Sequence, residues 1–197
     1  LSCEQCQRPQ GNCLCAWITP TTNRVPVLLL QHPLEVAQAK GSARLLRLSL
    51  GACQLVVGES FAPALLQAWL GDGAALLYPA APGAPPAPRS TAGAAPAPTR
   101  LVVLDGTWRK TLKMLHHNPL LQTLPRCPFP GGAALPPSRY GIRKAQQPWH
   151  RSTLEATCLA LGGLEGRPAH YAPLLQAFDG WVQAQMLPMA RRPANAW

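Results

Sequence analysis

The run Leu101-Val102-Val103-Leu104 leads straight into Asp105-Gly106-Thr107-Trp108, so an apolar strand ends in a carboxylate, a glycine and a hydroxyl where a helix should begin. That is the strand-to-helix turn of an α/β sheet. Ligands of such sheets bind outside the carboxyl ends of the strands, where loops and helix N-termini present amides and side chains to a crevice. Asp105 is therefore the first candidate for chemistry. Gly106 can adopt angles other residues avoid and leaves room for a ligand, while Thr107 or Asp105 is expected to cap the helix. Beyond it, Trp108, Leu112 and Leu115 recur at helical spacing as an apolar stripe meant to pack, and Arg109, Lys113 and His116 or His117 form a cationic one. Taken alone, these residues also describe a capped core helix with a solvated basic side.

With 197 residues the chain fits one domain with a small appendage and can bury a substantial core. Charged residues are only 13%, yet Lys and Arg outnumber Asp and Glu by 18 to 8, for a net charge of +10. So few acids among so many bases point to a polyanion. Nucleic acid is favoured over a membrane surface, because no apolar stretch approaches a spanning length. A basic protein with no nucleic-acid role has the same composition. The first residues are polar and Cys-rich rather than an apolar signal segment, and the seven cysteines are odd in number, with Cys53 in an apparent core strand and Cys158 in an apparent core helix. A cytoplasmic location is expected.

Cys3, Cys6, Cys13 and Cys15 put four thiols in a short segment that Pro9, Gly11 and Asn12 can fold back on itself. Four converging thiolates suit tetrahedral zinc, and a closed four-sulfur shell leaves no open position for substrate, so such a metal is structural. Two disulfides or an iron–sulfur cluster are the alternatives. Cys127, flanked by prolines, reads as a plain buried or loop thiol.

Strand and helix patterns alternate along the chain: a strand over Val25–Leu30, a helix over Gln38–Leu50, a strand over Cys53–Val57, a helix over Pro63–Leu70 and a strand over Ala75–Tyr78. Residues 79 to 98 are a Pro, Ala and Gly run with one charge, Arg89, expected as a mobile surface loop inside one domain. After the Asp105 strand and its helix, Asn118 to Pro137 is loop-rich. Ser152-Thr153-Leu154-Glu155 is a capping box that opens a helix to about Leu161, and a last helix over Tyr171–Met186 looks like packing. Just upstream, Tyr140, Arg143, Lys144, Trp149 and His150 set aromatic and basic groups before a helix N-terminus, a place for a carboxylate or phosphate. Ser152 and Glu155 could equally do nothing but cap.

The Cys-x2-Cys-x6-Cys-x-Cys segment, Gln31-His32-Pro33-x-Glu35, Asp105-Gly106-Thr107-Trp108, Tyr140-x2-Arg143 and Ser152-Thr153-Leu154-Glu155-Ala156 follow one another in an order that resembles the DTW-domain family, including its bacterial tRNA-uridine aminocarboxypropyltransferases. Gly41-Ser42 stands where that family more often has Asn-Thr. The resemblance covers nearly the whole chain and implies a SPOUT-like α/β fold, with a mostly parallel sheet, flanking helices and a threaded chain. It divides the chain into a zinc knuckle at 1–17 and a catalytic domain at 18–197. It also implies transfer of the 3-amino-3-carboxypropyl group of S-adenosylmethionine to N3 of a uridine in tRNA, in bacterial members a uridine of the variable loop.

On that reading Asp105 is the base, or the group that orients N3. Gly106, Thr107, Trp108, Tyr140, Arg143, Ser152 and Thr153 would form the S-adenosylmethionine pocket. His32 and Glu35 would hold the uridine or its loop, and Arg44, Arg47, Arg109, Lys110, Lys113 and Arg151 would meet RNA phosphates, giving an affinity that falls steeply with salt. Two other classes fit the same sequence, a SPOUT-type RNA methyltransferase and a non-catalytic zinc-containing RNA-binding module. The group transferred, or the absence of cofactor binding, separates them. The expected oligomeric state is a monomer.

Overall fold

Near-continuous runs of Val and Leu, with no polar alternation, require a sheet covered on both sides. In the computed structural model, which describes residues 1–79, 98–127 and 151–186, the strands β1 (Val27–Gln31) and β4 (Arg100–Asp105) are buried almost throughout. They lie side by side in a five-stranded, fully parallel sheet. β2 (Cys53–Val57) flanks β1, while β3 (Ala74–Leu77) and the two-residue β5 (Arg126–Cys127) continue beyond β4, in the order β2-β1-β4-β3-β5. Cys53 is buried, whereas the far end of β2, an edge strand, reaches solvent at Val57.

Alternate residues of the central strands feed two separate cores. Val27, Leu29, Leu101 and Val103 face α1 (Ala43–Ser49), α5 (Thr153–Leu164) and α6 (Ala172–Met186), packing on Leu45, Leu46, Leu154, Cys158, Phe178 and Trp181. Leu28, Leu30, Val102 and Leu104 face the other way, onto α2 (Pro63–Leu70), α3 (Trp108–His117) and α4 (Pro119–Thr123) through Leu66, Leu70, Met114, Leu115 and Leu121. Pro63 starts α2 with φ already set and no amide to waste, and Gly71, at φ +61°, ends it. The chain therefore leaves β1 for a helix on one face and β4 for a helix on the other. Where neighbouring parallel strands part in this way, a crevice opens at their carboxyl ends.

The N-terminal cysteine loop belongs to the first core. Cys6, Cys13 and Leu14 are buried in the same cluster as β1 and α6, and the Trp17 ring lies on α6 where a Cβ on Gly180 would overlap it. Gly180→Ala is expected to lower stability by about 1–3 kcal/mol, against the gain of about 1 kcal/mol that alanine brings to a free helix. Thermal unfolding reads the sign.

Several expectations are corrected. The helix expected over Gln38–Leu50 begins only at Ala43, because the carbonyls of Gln38, Ala39 and Gly41 are taken by the Arg8 guanidinium and close a turn instead. On α3 the packed face is Thr111, Met114 and Leu115, while Trp108 and Leu112 are 47% and 63% exposed. Thr111 and Asn118 can be buried because their polar atoms find partners, Thr111 Oγ1 on the Trp108 carbonyl and Asn118 Nδ2 on the Met114 and Glu59 carbonyls, with Asn118 Oδ1 accepting from the Phe61 amide. α4 and β5 form within the stretch read as loop. α5 runs on to Leu164, past the expected end. The Pro/Ala-rich run at 80–97 lies outside the described residues.

Candidate functional site

Gln31 and Asp105 are register partners at the carboxyl ends of β1 and β4, where the connections part. Gln31 Nε2 donates to Asp105 Oδ2 at 2.8 Å, and Thr153 Oγ1, from the first residue of α5, donates to Oδ1 at 2.6 Å. The His32 amide donates to the Asp105 carbonyl at 3.0 Å. The carboxylate is only 6% exposed and is pinned from both sides. Its two oxygens are thereby oriented by partners on two different elements, β1 and α5. Thr107 occupies the N-cap position of α3 with no side-chain cap bond, against expectation.

The tight turn at Gly106 has a steric cause. A Cβ there would press on Lys110 Cβ at 3.2 Å and approach His32 Cβ at 3.6 Å. Ser152 completes the capping box, its hydroxyl accepting from the Glu155 amide at 3.2 Å while Glu155 accepts from the Ser152 amide at 2.9 Å. The structural reading of Ser152 and Glu155 is thus realised, and Thr153 is the member of the motif that reaches Asp105.

His32 and Glu35 are buried and turned inward. The Leu34 amide donates to His32 Nδ1 at 3.1 Å, which leaves Nε2–H to donate to Glu59 at 2.8 Å. Glu35 accepts from Lys110 Nζ at 2.7 Å, tying the loop after β1 to α3. Glu59, just past β2, is the group sequence reasoning passed over. It also meets Lys113 at 2.9 Å and His117 at 3.5 Å. Its position beyond a strand's carboxyl end, in a chain poor in acids, was the available signal.

Lys113, and then His32, hold the Glu59 carboxyl below the usual glutamate range. A carboxylate lowered on folding adds stability that is present above its unfolded value and lost as pH falls through its folded one. Wild-type protein should therefore lose stability from the ordinary glutamate range downward, with a shallower loss in Glu59→Gln. Denaturant midpoints across acid pH measure both slopes.

The four N-terminal sulfurs converge within 4.8 Å of one another, with Cys3 and Cys15 3.5 Å apart and Cys6 and Cys13 3.7 Å apart. Tetrahedral zinc with bonds of about 2.3 Å sets its sulfurs about 3.8 Å apart, so the donor set fits such an ion. The Cys6 amide, then the Cys15 thiol and the Gln5 amide, bring Cys3 down to about 6, whereas burial pushes Cys13 and Cys15 up. A divalent cation would bind the four sulfurs as thiolates. Cys53, Cys127 and Cys158 are separate buried thiols, Cys127 on β5.

Among the cationic candidates, Arg47, Arg109 and Lys113 are exposed and Arg44, Lys110 and Arg151 half-buried. Lys110 and Lys113 are engaged with Glu35 and Glu59. Trp108 stands edge-on to Tyr78 at 5.5 Å, over the end of β3. Tyr140, Arg143, Lys144, Trp149 and His150 lie outside the described residues. No helix among the described residues is long and apolar enough to cross a membrane.

A parallel sheet with a pinned carboxylate at its strand divergence, sharing one core with a knuckle of four thiols, defines an α/β protein. The DTW domain matches residues 1–186, and the chain belongs to the DTW-domain family. It is 31% identical over 175 residues to tRNA-uridine aminocarboxypropyltransferase 2 of Drosophila melanogaster, an alignment spanning 84% of this chain and 67% of that protein. No solved structure matches.

Proposed function

We propose that the protein is an S-adenosylmethionine-dependent transferase that places a 3-amino-3-carboxypropyl group on N3 of a uridine in tRNA, releasing methylthioadenosine. The observation that carries this reading is Asp105, held by Gln31 and Thr153 at the strand divergence of a DTW-family chain. The relative's name supports the reaction, the parallel five-stranded sheet supports a SPOUT-like fold, and the net charge of +10 supports a tRNA substrate.

Uridine N3 carries a proton and is a poor nucleophile, so a carboxylate aimed at it removes or shares that proton. The N3–carbon bond forms as the carbon–sulfur bond breaks, its electron pair leaving on the sulfur, and the N3 proton passes to Asp105. Because the departing thioether is neutral, no general acid is needed. Selectivity for the aminocarboxypropyl carbon over the methyl is then geometric. Gly106, Thr107, Trp108 and the α5 N-terminus at Ser152 and Thr153 are the proposed pocket for the donor, together with Tyr140 and Arg143. His32 and Glu35 shape the floor beneath the uridine, and Arg44, Arg47, Arg109, Lys110, Lys113 and Arg151 are the proposed phosphate contacts. Cys3, Cys6, Cys13 and Cys15 would hold a structural zinc ion that takes no part in the step. Residues 1–17 then form the knuckle and 18–197 the catalytic unit, acting as a monomer.

Donor labelling tests the reaction. With label in the carboxyl carbon of the donor's methionine moiety, radioactivity should enter tRNA. With label only in the methyl group, tRNA should stay cold. The reverse pattern would make the protein a methyltransferase.

A further inference from the structure

We infer that Arg8 is a positioning residue that couples the four-thiol knuckle to the Asp105 site, so that the knuckle sets the placement of the α5 N-terminus. Only the kinetic part of this inference rests on the reading of Asp105 proposed above.

Arg8 is joined to both sides of the connection. Its carbonyl accepts from the amide of Cys3 at 2.8 Å, fixing it to the thiol cluster. Its guanidinium donates to the carbonyls of Ala39 and Gly41, each at 2.6 Å, and lies over the buried Trp181 ring at 5.3 Å from its centre. A planar guanidinium holds two carbonyls in a fixed, pre-organised fork, whereas an ammonium on its flexible stem does not fix their geometry. The turn it clasps leads directly into Ser42, a buried residue whose Oγ accepts from the Leu154 amide at 3.3 Å. Leu154 follows Thr153, whose hydroxyl donates to Asp105 at 2.6 Å. A continuous line of hydrogen bonds and adjacent residues thus runs from the cysteines to the carboxylate, along the face of the sheet that also carries α1, α5 and α6. Physical continuity of this kind can carry coupling, and variants along it can measure whether it does.

Amide hydrogen exchange of the ligand-free full chain, read by mass spectrometry, tests the link in Arg8→Ala and Arg8→Lys, with metal content measured on each. Arg8→Ala should keep the wild-type metal content while amides of 38–46 and of 152–157 exchange about ten-fold faster. Amides of α2 and α3, on the opposite face, should be unchanged. Arg8→Lys should fall between wild type and Arg8→Ala. In turnover assays Arg8→Ala should lower kcat about five- to ten-fold with KM for tRNA within about two-fold of wild type. Faster exchange at 38–46 with wild-type exchange at 152–157 would overturn the inference, as would loss of metal in both variants, which would make Arg8 a brace of the knuckle alone. If the wild-type chain transfers nothing to tRNA, the proposed reaction fails while the exchange result still decides the coupling.

Discussion

Asp105→Asn should lower kcat by about 10²- to 10⁴-fold, the range a positioned acid–base group supplies, while the protein stays folded. The amide keeps the shape of the carboxylate. Its oxygen can still accept from Gln31 Nε2, and its NH2 can donate to the Thr153 hydroxyl, which rotates to accept. What is lost is the capacity to take a proton from an imide. A cost within about 1 kcal/mol of wild-type stability is expected from exchanging two charge-assisted bonds for two neutral ones in an unchanged shape. Single-turnover rates and thermal unfolding of the same preparation separate the two effects. Wild-type turnover would remove Asp105 from the chemistry, and gross unfolding would make it a structural group.

Cys6→Ser should release the metal and lower stability strongly. Zinc-finger peptides derive about 10–16 kcal/mol of apparent folding free energy from their ion. Here Leu14 and Arg8 hold the segment as well, one in the core and one on the 39–41 turn. A smaller loss is therefore expected, on the order of 3–5 kcal/mol, or about 6–20 °C in Tm for a chain of this length. Elemental analysis of the purified wild type should give one ion per chain. The variant should give almost none, and its unfolding should start at the N-terminal segment. A variant with full metal content would show that the four sulfurs are not a single ligand set.

Legibility in the sequence followed the range of the interaction. The α2 start at Pro63 and the capping box at Ser152 are local devices, and both stand where their residues put them. The convergence of Cys3, Cys6, Cys13 and Cys15 is also local, set by short spacings with turn residues between. The strand leading to Asp105 was equally plain, since the four apolar residues Leu101 to Leu104 in a row mark a strand buried on both faces.

What depended on distant partners was hidden. Asp105 meets Gln31 and Thr153, 74 and 48 residues away, only because β1 lies beside β4 and α5 returns over the same face. No periodicity records that pairing. The inward face of α3 was misjudged for a related reason. Thr111 and Asn118 lie outside the expected apolar stripe of Trp108, Leu112 and Leu115, yet Asn118 is buried because it reaches the Glu59 carbonyl and the Phe61 amide as well as its own helix. The short α1 could not be foreseen either, because the residue that breaks its first turn, Arg8, arrives from the knuckle.

Nucleoside mass spectrometry of unmodified tRNA, incubated with S-adenosylmethionine and either wild-type protein or Asp105→Asn, tests the central claim most directly. The account predicts a uridine heavier by one 3-amino-3-carboxypropyl group in the wild-type reaction, with the modified position blocked at N3, and a trace of it with the variant. A methylated nucleoside, an untouched tRNA, or equal modification by the two proteins would contradict it.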